Sequence, residues 1–200
     1  QTLLPHRLIT RTLTRCDQAA DAISTMVVRG APLIGVTGAY GLMLALQDDA
    51  SDAGLCQAFD QLNASRPTAV NLRWALERVR DLVQPLPQGE RAAAARREAA
   101  LIADEDVAMC EAIGAHGFDL FRTLAEQRPS ARQNDSFQVL THCNAGWLAT
   151  VDWGTALAPI YKAHRAGLNI HVWVDETRPR NQGASLTAYE LAREGVPHTV

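Results

Sequence analysis

The sequence has 200 residues, is 47% hydrophobic and 20% charged, and carries a net charge of −3, which describes a globular chain able to bury one large core or two small ones. Its basic residues are scattered among acids, excluding the broad cationic footprint of a nucleic-acid-binding protein, so any anionic ligand must be met locally. The longest uncharged run, 30–47, is interrupted by Pro32, Thr37 and three further glycines; a membrane span needs ~20 mainly apolar residues, so a buried helix is expected instead.

The opening segment, QTLLPHRLITRTLTRC, alternates basic and apolar residues and lacks the apolar core and small-residue cleavage site of a secretory signal. It starts with glutamine, and part of the amino terminus is expected to be missing or processed. Cys16, Cys56, Cys110 and Cys143 show no C-x-x-C pair and no zinc-finger spacing. They are expected to be reduced thiols in a cytoplasmic protein without a metal site, the first three serving packing or surface roles in helical segments.

From Asp17 to about Gln127 the pattern is helical: 17–28, 32–49 with Pro32 in the first turn where its missing N–H costs nothing, 69–83 with Thr68 as its cap, and 91–127. In the last of these Ile102, Met109, Ile113, Leu120 and Leu124 recur at helical spacing, so helices packed on helices are expected. The polar, turn-rich stretch 126–136 has the composition of a domain joint. Beyond it, FQVLTH (137–142), NIHVWVD (169–175) and VPHTV (196–200) read as strands, separated by helical segments 154–167 and 184–195. That is a β-α-β-α-β order, which implies a parallel, right-handed unit.

The expected fold class is therefore α/β: a mainly helical domain over 1–130, then the start of a parallel α/β domain over 137–200. Two strands and the beginning of a third cannot cover both faces of a parallel sheet. The sequence is thus expected to be a fragment of a longer protein, with the second domain truncated at its carboxyl end and a sheet edge exposed.

Arg29 stands before Gly30-Ala31-Pro32 at the entrance to an apolar helix. A guanidinium fork beside free helix-start N–H groups suits anion capture, and an arginine satisfying a nearby carboxylate or carbonyl is the alternative. Arg66 also precedes a proline and a helix start; alone it reads as a solvated or salt-bridged surface group. Cys143 follows the first strand, in the crevice where open α/β sheets bind ligands, and is either a reactive thiol or a buried structural one. His142 beside it points to the opposite face, which disfavours a direct dyad. Asn144 holds the turn or offers its amide to a ligand. Gln182-Gly183 precede a helix beyond the second strand, where Gln182 can reach a ligand hydroxyl or phosphate or simply face water. Arg178 and Arg180 are expected to pair with neighbouring acids. No G-x-G-x-x-G follows either strand.

Taken together, VVRGAPLIGVTGAYG, SRPTAVNLRWA, THCNAGWLATVDWGTALAPIYKAHRAG and HVWVDETRPRNQGASLTAYEL resemble the methylthioribose-1-phosphate isomerases of methionine salvage. The wider family includes ribose-1,5-bisphosphate isomerases and regulatory subunits of a translation initiation exchange factor. The resemblance spans nearly the whole chain in the same order. It implies a helical domain joined to a Rossmann-like domain, a homodimer, and a cofactor-free isomerase acting on a sugar phosphate. Carried over, Arg29, Gly30, Ala31, Arg66 and Gln182 bind substrate and Cys143 is the thiol at the reacting carbons. The general acid is implied to be an aspartate beyond residue 200, a place Asp175 does not fill.

Overall fold

The computed structural model describes residues 1–128, 135–178 and 180–200. It separates into two compact units: Gln1–Thr2 with Ile9–Asp106, and Leu3–Leu8 with Val107–Val200. Most of the stretch expected as a joint, 129–134, lies outside the described residues.

The first unit holds α1 (Cys16–Ser24), α2 (Ala31–Asp48), α3 (Asp52–Ser65), α4 (Val70–Val83) and the first part of α5 (Gln88–Glu126). Gly30, at φ 88°, is the N-cap of α2 and Pro32 lies in its first turn, as expected. The glycines inside α2 let neighbours approach closely. A Cβ on Gly35 would stand 2.9 Å from the Asn71 carbonyl oxygen of α4, and one on Gly41 would stand 2.9 Å from Leu62 Cδ2 and 3.0 Å from Ala19 Cβ. These approaches close a core containing Ile23, Leu42, Leu62, Leu72, Leu76 and Val79, all fully buried. Burying each such side chain contributes about 1.5–3 kcal/mol.

Two details differ from the sequence expectation. The segment 52–65 forms a helix of its own, α3, started by Ser51, whose Oγ accepts from the Gly54 N–H at 3.1 Å. Thr68 is not the cap of α4: the N-cap is Ala69, without a side-chain cap. The chain enters α4 through a turn in which the Ala69 N–H donates to the Arg66 carbonyl at 3.0 Å. Loop closure in this unit rests on Arg91, which is buried and donates to the carbonyls of Ala50, Gln84 and Leu86 at 2.9–3.0 Å.

The second unit contains the rest of α5, β1 (Phe137–Thr141), α6 (Ala158–Arg165), β2 (Ile170–Val174), α7 (Ala188–Arg193) and β3 (His198–Thr199). The strands form a parallel sheet in the order β1-β2-β3, with Phe137 opposite Ile170, Thr141 opposite Val174 and Val172 opposite His198. The expected β-α-β-α-β order is present. Alternation of side chains puts Ile170, Val172 and Val174 into a core with Leu157, Ile160, Tyr161 and Leu191. The register partners Leu140 and Trp173 face out, 68% and 47% exposed, so one face of the sheet is covered. On α5, Gly117 lets the helix meet α6, since a Cβ there would lie 2.7 Å from Pro159 Cβ.

The expectation of a buried helical face on 91–127 holds only for its first half. Ile102 is buried, whereas Met109, Ile113, Leu120 and Leu124 are exposed. Periodicity places these residues on one stripe, which the described residues leave exposed.

Candidate functional site

At the carboxyl ends of β1 and β2 the backbone turns sharply. Cys143 has φ 59°, Thr177 63° and Asn181 52°. Such left-handed conformations cost non-glycine residues ~1–2 kcal/mol each, and persist where surrounding bonds over-determine them. Cys143 is fixed from both sides. Its N–H donates to Thr177 Oγ1 at 3.0 Å, and its carbonyl accepts from the Thr187 hydroxyl at 2.6 Å. The Thr177 hydroxyl in turn donates to the Asp175 carbonyl at 2.9 Å. Held this way, the half-buried Cys143 Sγ lies 3.7 Å from Gln182 Oε1. Gly183 must be glycine here, because a Cβ would overlap the Asp175 carbonyl oxygen and lie 2.9 Å from Thr177 Oγ1.

The Nδ1 of His142 is 3.0 Å from Asp175 Oδ2, and both side chains are substantially exposed. Arg178 donates to Glu176 Oε1 at 2.7 Å; Pro179 lies outside the described residues.

Behind the thiol sits a group that sequence reading missed. Glu190, on α7, is fully buried. Its Oε1 accepts from Asn144 Nδ2 at 2.7 Å and from the Leu148 N–H at 3.1 Å, and its Oε2 accepts from the Tyr161 hydroxyl at 2.8 Å. Burial pushes its carboxyl above the usual range, an effect partly offset by the Asn144 and Tyr161 donors. Burial, reinforced by the Glu190 charge, likewise raises the Tyr161 phenol. Asn144 Nδ2 also lies 3.2 Å from Thr187 Oγ1, so Asn144 holds the turn. A Cβ on Gly146 would stand 2.6 Å from Glu190 Cδ and 2.7 Å from Leu157 Cδ1. Periodicity gives no signal for Glu190, since its helical face carries Leu186 but also Thr187, Arg193 and Glu194.

The arginines belong to the helical unit. Arg29 is buried, 7% exposed, immediately before the Gly30 cap, while Ala31 is exposed in the first turn of α2. The approach of Gly35 to Asn71 brings the starts of α2 and α4 to the same end of that unit, and Arg29 and Arg66 each precede one of these starts. Arg66 is half-buried, and its Nη1 is buried without a hydrogen-bond partner among the described residues. A buried guanidinium N–H left unpaired is costly, and a bound anion would satisfy it. The structure thus joins Cys143 to Gln182, places Arg29, Gly30 and Ala31 at the start of α2, and sets Arg66 in the turn ahead of α4. Among the described residues, no cluster of three or more His, Cys, Asp or Glu side chains could hold a metal ion, and no helix is long and apolar enough to cross a membrane.

Known proteins resemble the chain along its whole length. It is 60% identical over 200 residues to a methylthioribose-1-phosphate isomerase of Methylocella silvestris, covering 100% of this chain and 54% of that protein. A crystal structure of 5-methylthioribose 1-phosphate isomerase from Pyrococcus horikoshii matches with TM-score 0.83 and 37% identity, over 98% of this chain and 54% of that one. The crystal structure of translation initiation factor eIF-2B, subunit delta, from A. fulgidus matches with TM-score 0.83 and 39% identity, over 99% of this chain and 57% of that one. The chain spans about half the length of the curated relatives it matches. Residues 27–200 match the model of the Initiation factor 2 subunit family, and the chain belongs to that family.

Proposed function

We propose that this protein is an aldose–ketose isomerase that converts 5-methylthioribose 1-phosphate to 5-methylthioribulose 1-phosphate in methionine salvage, acting as a cofactor-free cytoplasmic homodimer. The observation that carries this reading is the 60% identity, across all 200 residues, with a methylthioribose-1-phosphate isomerase.

A sugar with phosphate on C1 cannot open spontaneously to an aldehyde. In the isomerisation the bond from C1 to the ring oxygen breaks as that oxygen gains a proton. The hydrogen on C2 passes to C1, and the C2 hydroxyl gives up its proton as it becomes the ketone. Cys143 stands at the reacting carbons in this reading, and Gln182 holds a substrate hydroxyl or phosphoryl oxygen beside it. Arg29, with the backbone amides of Gly30 and Ala31, and Arg66 take the phosphoryl oxygens, a task suited to guanidinium forks and a helix start. In this reading, as the family resemblance implies, the acid that protonates the ring oxygen is an aspartate beyond residue 200, and Asp175, 3.0 Å from His142 Nδ1, is not assigned that role.

The test is to incubate the full-length protein separately with 5-methylthioribose 1-phosphate and ribose 1,5-bisphosphate and follow ketose formation by NMR. Ketose from the first alone is expected; ketose from the second alone would reassign the substrate to a bisphosphate. Turnover of neither would favour a non-catalytic binding subunit of a translation exchange factor, the reading to which the likeness to the A. fulgidus eIF-2B delta structure points.

A further inference from the structure

The isomerase reading leaves the buried acid Glu190 without a task. An apolar residue at this site would fill the core without burying a charge, so the carboxylate needs a reason. Its donors Asn144, Leu148 and the Trp147 backbone lie in the segment directly after Cys143.

The directions of the hydrogen bonds supply that reason. A threonine hydroxyl has one proton, and that of Thr187 is committed to the Cys143 carbonyl at 2.6 Å. Its contact with Asn144 at 3.2 Å therefore requires the asparagine to donate. Asn144 can donate there only if its NH2 end faces inward, and Glu190 Oε1, an acceptor 2.7 Å away, fixes that orientation. A one-way chain results: Glu190 orients Asn144, Asn144 orients Thr187, and Thr187 anchors the Cys143 carbonyl. We propose that Glu190 is a positioning residue, which holds Cys143 in its left-handed conformation with the sulfur toward Gln182. The kinetic consequence rests on the isomerase reading; the geometry does not.

The experiment uses the full-length enzyme and four variants. Thr187→Val breaks the chain at its last link, and Glu190→Met removes its origin. Glu190→Gln keeps an oxygen for Asn144 and Leu148 while turning its NH2 to the Tyr161 oxygen. Tyr161→Phe removes the phenol's hydrogen bond to Oε2 and leaves the Asn144 and Leu148 donors to Oε1 in place. For each, kcat, KM, thermal stability and the rate of Cys143 alkylation by iodoacetamide, read by mass spectrometry of the Cys143 peptide, are measured.

Misplacement of a reacting group by about 1 Å can cost ~100-fold, so Thr187→Val is expected to lower kcat by about 10- to 100-fold with KM little changed, and to alter the alkylation rate severalfold. Glu190→Met should do the same or fail to fold, Glu190→Gln should restore most of the loss, and Tyr161→Phe should keep kcat and the alkylation rate. Wild-type kcat and alkylation in Thr187→Val would overturn the proposal, as would equal losses in Tyr161→Phe and Thr187→Val that follow thermal stability. If the wild type isomerises neither sugar phosphate, the isomerase reading fails while the alkylation rates still decide the positioning role.

Discussion

Gly183→Ala tests the tightest approach in the second unit. The new methyl would overlap the Asp175 carbonyl oxygen and press on Thr177 Oγ1, and neither neighbour is the end of a long, flexible side chain. To restore contact distance, the loop after β2 or the turn at 183–187 must shift by well over ~1 Å. Overpacking of this kind costs about 1–3 kcal/mol. The same shift loosens the hydrogen bond from Cys143 N–H to Thr177 Oγ1, a net loss of about 1 kcal/mol. A total of about 2–4 kcal/mol is expected. The assay is urea unfolding followed by tryptophan fluorescence, for which Trp147, Trp153 and Trp173 report on the second unit. At a slope of ~2 kcal/mol/M the unfolding midpoint should fall by about 1–2 M, with a lower kcat. An unchanged midpoint together with unchanged Cys143 alkylation would refute the close packing of the two loops.

Cys143→Ser in the full-length protein should nearly abolish turnover while largely retaining substrate binding, checked by single-turnover kinetics and calorimetry. Arg66→Met should raise KM at least tenfold yet leave thermal stability unchanged or higher, because it removes a buried N–H without a partner among the described residues; a wild-type KM would remove Arg66 from phosphate binding. Ser51→Ala should cost about 1 kcal/mol by deleting the cap of α3, read by chemical denaturation. The Arg78 guanidinium holds the Glu105 carboxyl below its usual range, so this pair stabilises the fold above the ordinary carboxylate pKa of ~4.3 and loses its effect as pH falls through the depressed value. Glu105→Gln should therefore melt lower than wild type at pH 6, with the difference shrinking toward pH 3.

Much of the fold was legible because it is local. Pro32 after Gly30 marks the start of α2, and β-branched runs separated by helical segments mark a parallel β-α-β-α-β order. The position of Cys143, just past a strand, identified the rim where it lies. Cys56 was expected in a helical segment, but the bounds of α3 were not legible because its residues, DAGLCQAFDQLNAS, mix polar and small side chains without a strong stripe, and burial of Leu55, Ala58 and Leu62 decides its place.

By itself the sequence determined the type and order of most elements and the residues at their ends, since these depend on backbone chemistry and periodicity over a few neighbours. Only the tertiary structure decided that Cys143 adopts a left-handed turn between two threonine hydroxyls, that Glu190 is buried 46 positions away from Asn144 in the chain yet bonded to it, and that the apolar stripe at the end of α5 faces outward. The physical reason is that burial and hydrogen-bond partners are set by which distant segments meet, and the one-dimensional pattern records which face is apolar but not what covers it.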